Sequence, residues 1–434
     1  MKKYFELIFY ISFSAGMAFG TSSFMMISGL FEITRPLSVV VAIVLSGFMC
    51  ILISASVAEL ASMYPSSPGV RTYLKVAFDN RISLTLVYLY LIFMVLIAGV
   101  ESYMFALVTK AIWPNLSTIV IVWALLAFTI VVNLLGLELP RGLQIFTTFL
   151  LLLCVIALGT YGLIQAPASA SLAMSAQGFD QFKLLPAAII MAIFLFTGFE
   201  WVTLLGFSPK SYERRIPIAM PLAILTLILV YGVLALGFSS QMSVESIAAS
   251  PTPQIPYFSK LLGDRGGYVA WTVSILAIFS TFNAGIMGGG RLIYVLTREG
   301  NLPKWCGKMS LRTGAPIGGI IVLGSLVAVS SMVVVTYELH LLAAVVGSAI
   351  VSFVYAAFVL AVIVLRKKQP KARRTFRTPL PPWTQWIMIL LLPVLGLLSL
   401  FSQVNMQYQP VIALGAFVIF AAGLARWSIF RTRR

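Results

Sequence analysis

Apolar residues run along this chain in long stretches, each about the length that crosses a bilayer. A hydrocarbon core of about 30 Å needs about 20 helical residues, and stretches of that length recur from end to end. The pattern predicts twelve membrane-spanning helices, at about 5–30, 35–62, 82–110, 115–136, 142–164, 184–207, 216–239, 267–297, 316–336, 341–365, 382–402 and 408–428. We therefore expect an all-α integral membrane protein.

The composition supports this class. Of the 434 residues, 60% are hydrophobic and 10% are charged, and the mean hydropathy is +1.00. In soluble domains about a quarter of all residues are charged, so the composition excludes an ordinary soluble globular protein.

The net charge of +17 follows from 30 basic and 13 acidic side chains. With the N-terminus inside, 25 of the 30 Lys and Arg fall on the inner side of the predicted spans. Such an asymmetry fixes orientation by the positive-inside rule, so both termini are expected to be cytoplasmic, in a multi-pass protein of the cytoplasmic (inner) membrane. We expect the excess basic side chains to contact the lipid bilayer, and we expect no nucleic-acid partner.

A basic stretch, "RKKQPKARRTFRTP" at 366–379, is the best internal boundary. It divides a predicted transporter core (1–365) from two further spans and a cytoplasmic tail (379–434). Residues 366–378 are predicted to be a cytoplasmic linker.

Two predicted spans are interrupted near their midpoints. The first contains "GMAFGTSSFMMISG" at 16–29, and the sixth contains Thr197 and Gly198 followed by Glu200. Paired broken helices at matching positions of two halves point to an inverted-repeat transporter, whose half-helix ends hold the ligand. The alternative is that Gly and Ser in the first span only allow close helix packing.

The interruptions suit a zwitterion for a physical reason. A break frees backbone N–H and C=O groups, each of which costs several kcal/mol in lipid unless it lines a cavity. Helix N-termini then attract a carboxylate, and freed carbonyls accept hydrogen bonds from an ammonium group. An amino acid satisfies both ends.

Three stretches resemble the amino acid–polyamine–organocation (APC) transporter superfamily, of the amino acid permease type. They are "ASVAELASMYPSSPGVRTYL" at 55–74, "FLFTGFE" at 194–200 and "NAGIMGGGRLIYVLTREGNLPKWCGKMSLRTGAP" at 283–316. The resemblance implies the LeuT-like fold, with spans 1–5 and 6–10 as inverted repeats, helices 1 and 6 broken, and two peripheral helices. These peripheral spans are candidates for contacts in a homodimer.

The resemblance also implies a midplane substrate site. The amides of Ser22 and Ser23 would hold the substrate carboxylate, and the carbonyls of Phe19, Phe194 and Thr197 would accept from its amino group. Phe194 would close over the substrate as a gate. The implied substrate-binding residues are Phe19, Gly20, Thr21, Ser22, Ser23, Phe24, Phe194, Thr197 and Gly198.

The chain departs from the family pattern at three places, one of which is the inner-loop motif after span six, written "FSPKSYERRIP" at 207–217. Thr21 and Ser23 replace glycines of the first-span loop, which makes the loop bulkier. Span five also carries no Lys, although many proton-coupled members have one there.

Three acidic residues lie well inside predicted spans, and buried carboxylates are functional candidates by default. Glu59 is expected to make a structural contact with inner-loop backbone or Arg. Glu200 is expected either to order the gate or to transfer protons. Glu101 could bind a cationic group, titrate as the coupling proton site, or only order packing.

Ser280 and Thr281 on span eight, with backbone at Gly20, form a candidate cation site, since oxygen ligands suit a hard cation. The alternative is hydroxyl bonding to the i−4 carbonyl. The coupling ion is therefore open between H+ and Na+, and neither a cofactor nor a metal site is expected.

The leading hypothesis is a secondary active transporter of amino acids or related amines, with a neutral amino acid as substrate. One alternative is transport of cationic amino acids or amines through Glu101, and another is a nutrient receptor that does not transport. An enzyme is not expected, because one His and three separated Cys offer no catalytic cluster.

Overall fold

The structure is a computed structural model that describes residues 2–432 except 66–67, 136–140, 168–181, 183, 206–208, 380 and 402–407. Within these residues the regular elements are helices. They are α1 (Lys2–Ala18), α2 (Ser22–Ile33), α3 (Pro36–Met63), α4 (Gly69–Ala77), α5 (Asn80–Ile112), α6 (Thr118–Leu134), α7 (Arg141–Ile164), α8 (Leu185–Ile193), α9 (Pro209–Arg214), α10 (Ile216–Gln241), α11 (Val244–Ala248), α12 (Gln254–Leu262), α13 (Gly266–Arg298), α14 (Ile317–Tyr337), α15 (His340–Lys368), α16 (Pro382–Ser399) and α17 (Gln409–Thr432).

The first span is broken, as the sequence predicts. Helix α1 ends at Ala18, helix α2 begins at Ser22, and the two axes differ by 56°. The Phe19 N–H still bonds to the Ala15 carbonyl, and the Ser23 N–H bonds to the Gly20 carbonyl. The backbone between these two bonds leaves the helical ladder, which creates the two half-helix ends.

The sixth span is broken as well. Helix α8 ends at Ile193 and passes through short 3₁₀ turns, Phe194–Phe196 and Phe199–Leu204. Gly198 between them has a φ of +107°, where a side chain would be strained. A Cβ at Gly198 would also lie 3.3 Å from the Met17 carbonyl oxygen. The two breaks therefore meet backbone to backbone.

Ten of the described helical segments are long and apolar enough to span a membrane, and the bent pair α1–α2 makes an eleventh. The span predicted at 115–136 coincides with α6, which has 17 residues. The count of twelve therefore stays a prediction. The span ends predicted at 136, 206–207 and 402, and the basic residues Lys183, Arg433 and Arg434, lie outside the described residues.

Several helix contacts occur in matching pairs: each of these contacts has a counterpart in which every span is replaced by the span five positions away in the chain. Helix α1 packs on α10 as α8 packs on α3, and α5 packs on α14 as α6 packs on α13. The same exchange relates the contact of α7 with α10 to that of α3 with α15. This pairing is the signature of the inverted repeat. Helices α16 and α17 lie outside it, against α15 and α5.

The segment 366–378 is docked onto the core, and we call it the inner strap. It begins in the last turn of α15 and continues through turns and bends, and exposed and less exposed residues alternate over 371–378. Buried Glu59 of α3 accepts hydrogen bonds from Arg366 at 2.6 and 2.9 Å and from the Thr378 N–H at 2.8 Å. Arg374 lies 3.4 Å from the same carboxylate. Glu59 thus makes the contacts with Arg and loop backbone that its position predicts.

Replacing Arg366 tests this anchor. Glu59 is fully buried, so Arg366→Ala leaves a buried carboxylate with a weaker set of partners, at a cost of about 3 kcal/mol. We expect a clear fall in the melting temperature of the purified protein. The control is Lys367→Ala, which removes an exposed neighbouring charge. Equal melting temperatures of the two variants would contradict the anchoring role.

Candidate functional site

A small cavity lies where the two helix breaks meet. Its volume is about 50 Å³, which is room for a few water molecules. Six residues of the two breaks that the sequence singles out line it: Gly20, Ser22, Ser23, Phe194, Thr197 and Gly198. Side chains from α5, α13 and α14 complete the wall.

Three other predicted site residues lie behind this wall. Phe19 is fully buried and stacks on Tyr231 with 5.3 Å between ring centroids, and Phe24 packs edge-on against Phe19. The Thr21 hydroxyl donates to the Ser274 carbonyl of α13 at 3.4 Å. These side chains support the break and do not face the cavity.

Glu101 of α5 faces the cavity and reaches the N-terminus of α2. Its Oε2 accepts a hydrogen bond from the Ser22 N–H at 3.1 Å, and its Oε1 accepts from the Ser22 hydroxyl. The carboxyl group fills the space beside Gly20, where a Cβ would lie 2.0 Å from Oε1. The face of α5 that carries Glu101, which the sequence left open, is therefore the cavity face.

Tyr231 of α10 connects the carbonyl ends of both breaks. Its hydroxyl lies 3.2 Å from the Ala18 carbonyl and 2.8 Å from the Leu195 carbonyl, and the Ser23 hydroxyl is 3.2 Å away. The sequence analysis missed this residue. The available signal was a lone tyrosine in the aliphatic run "LTLILVYGVLALG".

The predicted acceptor at Phe194 is already occupied. Its carbonyl accepts the Thr197 N–H at 3.1 Å and the Thr197 hydroxyl at 2.8 Å. Trp201, also missed, lines the cavity, and its buried indole N–H has no hydrogen-bond partner among the described residues. The span that was expected to supply carbonyl acceptors thus also places an unpaired indole donor within the cavity wall.

Glu200 is fully buried and is held by two tyrosines. Its Oε1 accepts from the Tyr90 hydroxyl and its Oε2 from the Tyr355 hydroxyl, both at 2.7 Å. The Tyr355 oxygen also lies 3.4 Å from the Gly198 N–H. Glu200 is not among the cavity-lining residues. This arrangement ties the break in the sixth span to α5 and α15.

The candidate cation site is assembled differently from the expectation. The first-span residue beside Ser280 is Gly16, where a Cβ would lie 2.6 Å from the Ser280 hydroxyl oxygen. Thr281 donates to the Gly16 carbonyl at 3.3 Å. Gly20 is one turn further along the break, beside Glu101.

An amide from span five points into this second site. The Gln144 Nε2 group donates to the Ser280 hydroxyl at 2.7 Å and to the Thr148 hydroxyl at 3.1 Å. The sequence analysis sought a Lys in this span and overlooked the Gln. A neutral donor therefore stands among the oxygens that a sodium ion would need.

Comparison with known proteins identifies similar chains. The family described as amino acid permease matches residues 5–422. An uncharacterized amino acid permease, YecA of Bacillus subtilis, is 26% identical over 318 residues, which are 70% of each chain. L-asparagine permease 1 of Mycobacterium bovis is 24% identical, over 70% of this chain and 65% of that protein. The human cystine/glutamate transporter is 24% identical, over 62% of this chain but only 53% of that protein.

A solved structure shares the fold. The manganese transporter of Eremococcus coleocola superposes with a TM-score of 0.64 at 12% identity, covering 99% of this chain and 95% of that one. At this identity the likeness concerns the architecture alone.

The tyrosine pair around Glu200 can be tested by removing single hydroxyl groups. Tyr90→Phe and Tyr355→Phe each leave a buried carboxylate oxygen without its donor, which costs about 2 kcal/mol. We expect lower melting temperatures for both variants. The control is Tyr268→Phe, since Tyr268 is 57% exposed. Melting temperatures that match the control would show that the hydroxyls do not hold Glu200.

Proposed function

The chain belongs to the amino acid permease family, and we propose that it carries a neutral amino acid by alternating access at the cavity between its two broken helices. The family consists of permeases, so the chain is a membrane-embedded transporter and not an enzyme. The observation that carries the proposal is the meeting of the two breaks at Gly198 and Met17, with the cavity beside them. Non-helical backbone at membrane depth is tolerated where it lines such a cavity.

The lining favours a small zwitterion with an uncharged side chain. Ser22, Ser23 and Thr197 supply polar groups, and the rest of the wall is mostly apolar or aromatic. The lining contains no Lys or Arg that could pair with an acidic side chain. A relative named for cystine and glutamate is thus a weaker guide to the substrate than the relative named for asparagine.

A second candidate is an amine or a cationic amino acid. It is favoured by one observation, namely that Glu101 places a carboxyl group in the cavity wall. An ammonium group would find its counter-charge there.

For energy coupling, we favour a proton at Glu101 over sodium at Ser280 and Thr281. Sodium needs oxygen lone pairs directed at it. The Gln144 amide directs N–H donors at one of the candidate oxygens, that of Ser280, and at the neighbouring Thr148 hydroxyl. Within the part of the chain that the structure describes, Glu101 is the one titratable side chain that lines the cavity.

The positive-inside charge pattern supports a location in the cytoplasmic membrane with both termini in the cytoplasm. A homodimer through the two peripheral helices is part of the same proposal. The position of these two helices outside the paired contacts of spans 1–5 and 6–10 supports them as the contact.

Ligand-induced stabilisation tests the substrate class. The purified protein is heated with each of twenty amino acids and a set of polyamines. A ligand at 100 times its dissociation constant stabilises by about 2.7 kcal/mol. We expect neutral amino acids to raise the melting temperature and Phe194→Ala to weaken their binding about tenfold. The control is Phe420→Ala on exposed α17. Stabilisation by polyamines alone would favour the second candidate.

Uptake into proteoliposomes tests the coupling. We expect accumulation to be driven by an inward proton gradient and to persist when sodium is replaced by potassium. Glu101→Gln should abolish gradient-driven accumulation and leave exchange across the membrane measurable. Unchanged accumulation by Glu101→Gln across pH, or a strict need for sodium, would refute the scheme.

A further inference from the structure

The donors at the N-terminus of α2 are already engaged. The Ser22 N–H and the Ser22 hydroxyl both bond to the Glu101 carboxyl group, and the Ser23 N–H bonds to the Gly20 carbonyl at 3.2 Å. A helix N-terminus attracts an anion through these N–H groups and the helix dipole. The place expected to hold a substrate carboxylate thus holds a carboxyl group of the protein itself.

Two carboxyl groups cannot share this place. The Ser22 N–H is a single donor, and the Glu101 side chain fills the volume beside Gly20 so closely that not even a methyl group would fit. The free volume of the cavity is about 50 Å³. An amino acid whose carboxylate binds at α2 must therefore move the Glu101 carboxyl group away.

A second feature belongs to a residue of the same cavity wall. Trp201 is 6% exposed and lines the cavity, and its indole N–H lacks a partner among the described residues. A buried donor without a partner costs about 1–3 kcal/mol, which a hydrogen-bonding ligand would offset. The anion site of the cavity is thus engaged, and an unpaired donor lies buried within one of its wall residues.

We infer that the Glu101 carboxyl group occupies the substrate-carboxylate subsite of the unloaded protein and that an amino acid binds by displacing it. This inference rests on the proposed function and deepens it. Glu101 then determines specificity, because every carboxylate-bearing ligand competes with it and an amine without a carboxylate does not. Selection depends on the outcome of that competition at Ser22.

The experiment compares ligand pairs that differ only by a carboxylate. Binding of L-leucine and isoamylamine, and of L-alanine and ethylamine, is measured by calorimetry on the full-length purified protein and on Glu101→Ala. Removing the competitor frees a charge-assisted hydrogen-bond site. We expect the affinity for the amino acid, relative to its amine, to rise about tenfold.

The matched control is Glu32→Ala, which removes an exposed carboxyl group from the last turn of α2, the same helix whose N-terminus Glu101 contacts. Its relative affinities should stay those of the wild type. If Glu101→Ala is unstable, Glu101→Gln should shift the preference in the same direction by less, because the neutral amide still accepts from Ser22.

An unchanged or lowered preference for amino acids in Glu101→Ala would overturn the inference. Binding of the amines alone, to wild type and variant alike, would also overturn it and would make Glu101 a permanent occupant of the subsite. Failure of the proposed function has a different result: the wild-type protein then takes up no amino acid into proteoliposomes.

Discussion

Backbone groups that lack helical partners inside a membrane are the constraint on which this structure depends. Each such group costs several kcal/mol in lipid unless a side chain, another backbone or a ligand satisfies it. Here the donors and acceptors come from neighbouring spans. The single hydrogen of the Tyr231 hydroxyl is donated to the Leu195 carbonyl at 2.8 Å or to the Ala18 carbonyl at 3.2 Å, and the Glu101 carboxyl group accepts from the amide of Ser22. The breaks are therefore stable features, and the helices that supply these groups are fixed in place by them.

The two buried carboxyl groups meet the same constraint in different ways. The partners of Glu200 are tyrosine hydroxyls behind the cavity wall, which no ligand reaches in this arrangement. The partners of Glu101 belong to Ser22, in the wall itself. A ligand can replace the second set of bonds but not the first. Burial alone does not distinguish a supporting carboxylate from an exchangeable one, whereas the location of its donors does.

Sequence patterns predict the breaks because glycine, serine and threonine interrupt an apolar run locally, as at Thr197 and Gly198. They do not predict which side chains fill the breaks. Tyr231 lies 36 residues from Leu195, and Gln144 lies 136 residues from Ser280. Each lies in a span with few polar residues and no clear polar face, so periodicity does not reveal its direction. The rotation of the first span was equally uncertain. The sequence analysis therefore paired Ser280 with Gly20, whereas Gly16, one turn earlier, lies beside Ser280.

Alternating access needs one side of the cavity closed while the other opens, and the described ion pairs are unequal between the two sides. At the side predicted to be cytoplasmic, buried Arg71 binds Glu299 at 2.7 Å and Arg366 binds Glu59. On the opposite side, the pair Arg35–Glu245 is mostly exposed and contributes little. The described pairs at the predicted cytoplasmic side are thus the more buried ones, and a ligand shifts the equilibrium between two states only by its differential affinity for them. If the substrate removes Glu101 from Ser22, the bond between α5 and α2 exists in the empty state and not in the loaded state. Occupancy of the cavity is thereby linked to the packing of α5. The N-terminal turn of this helix supplies Asn80 and Ser83, which accept hydrogen bonds from Arg71.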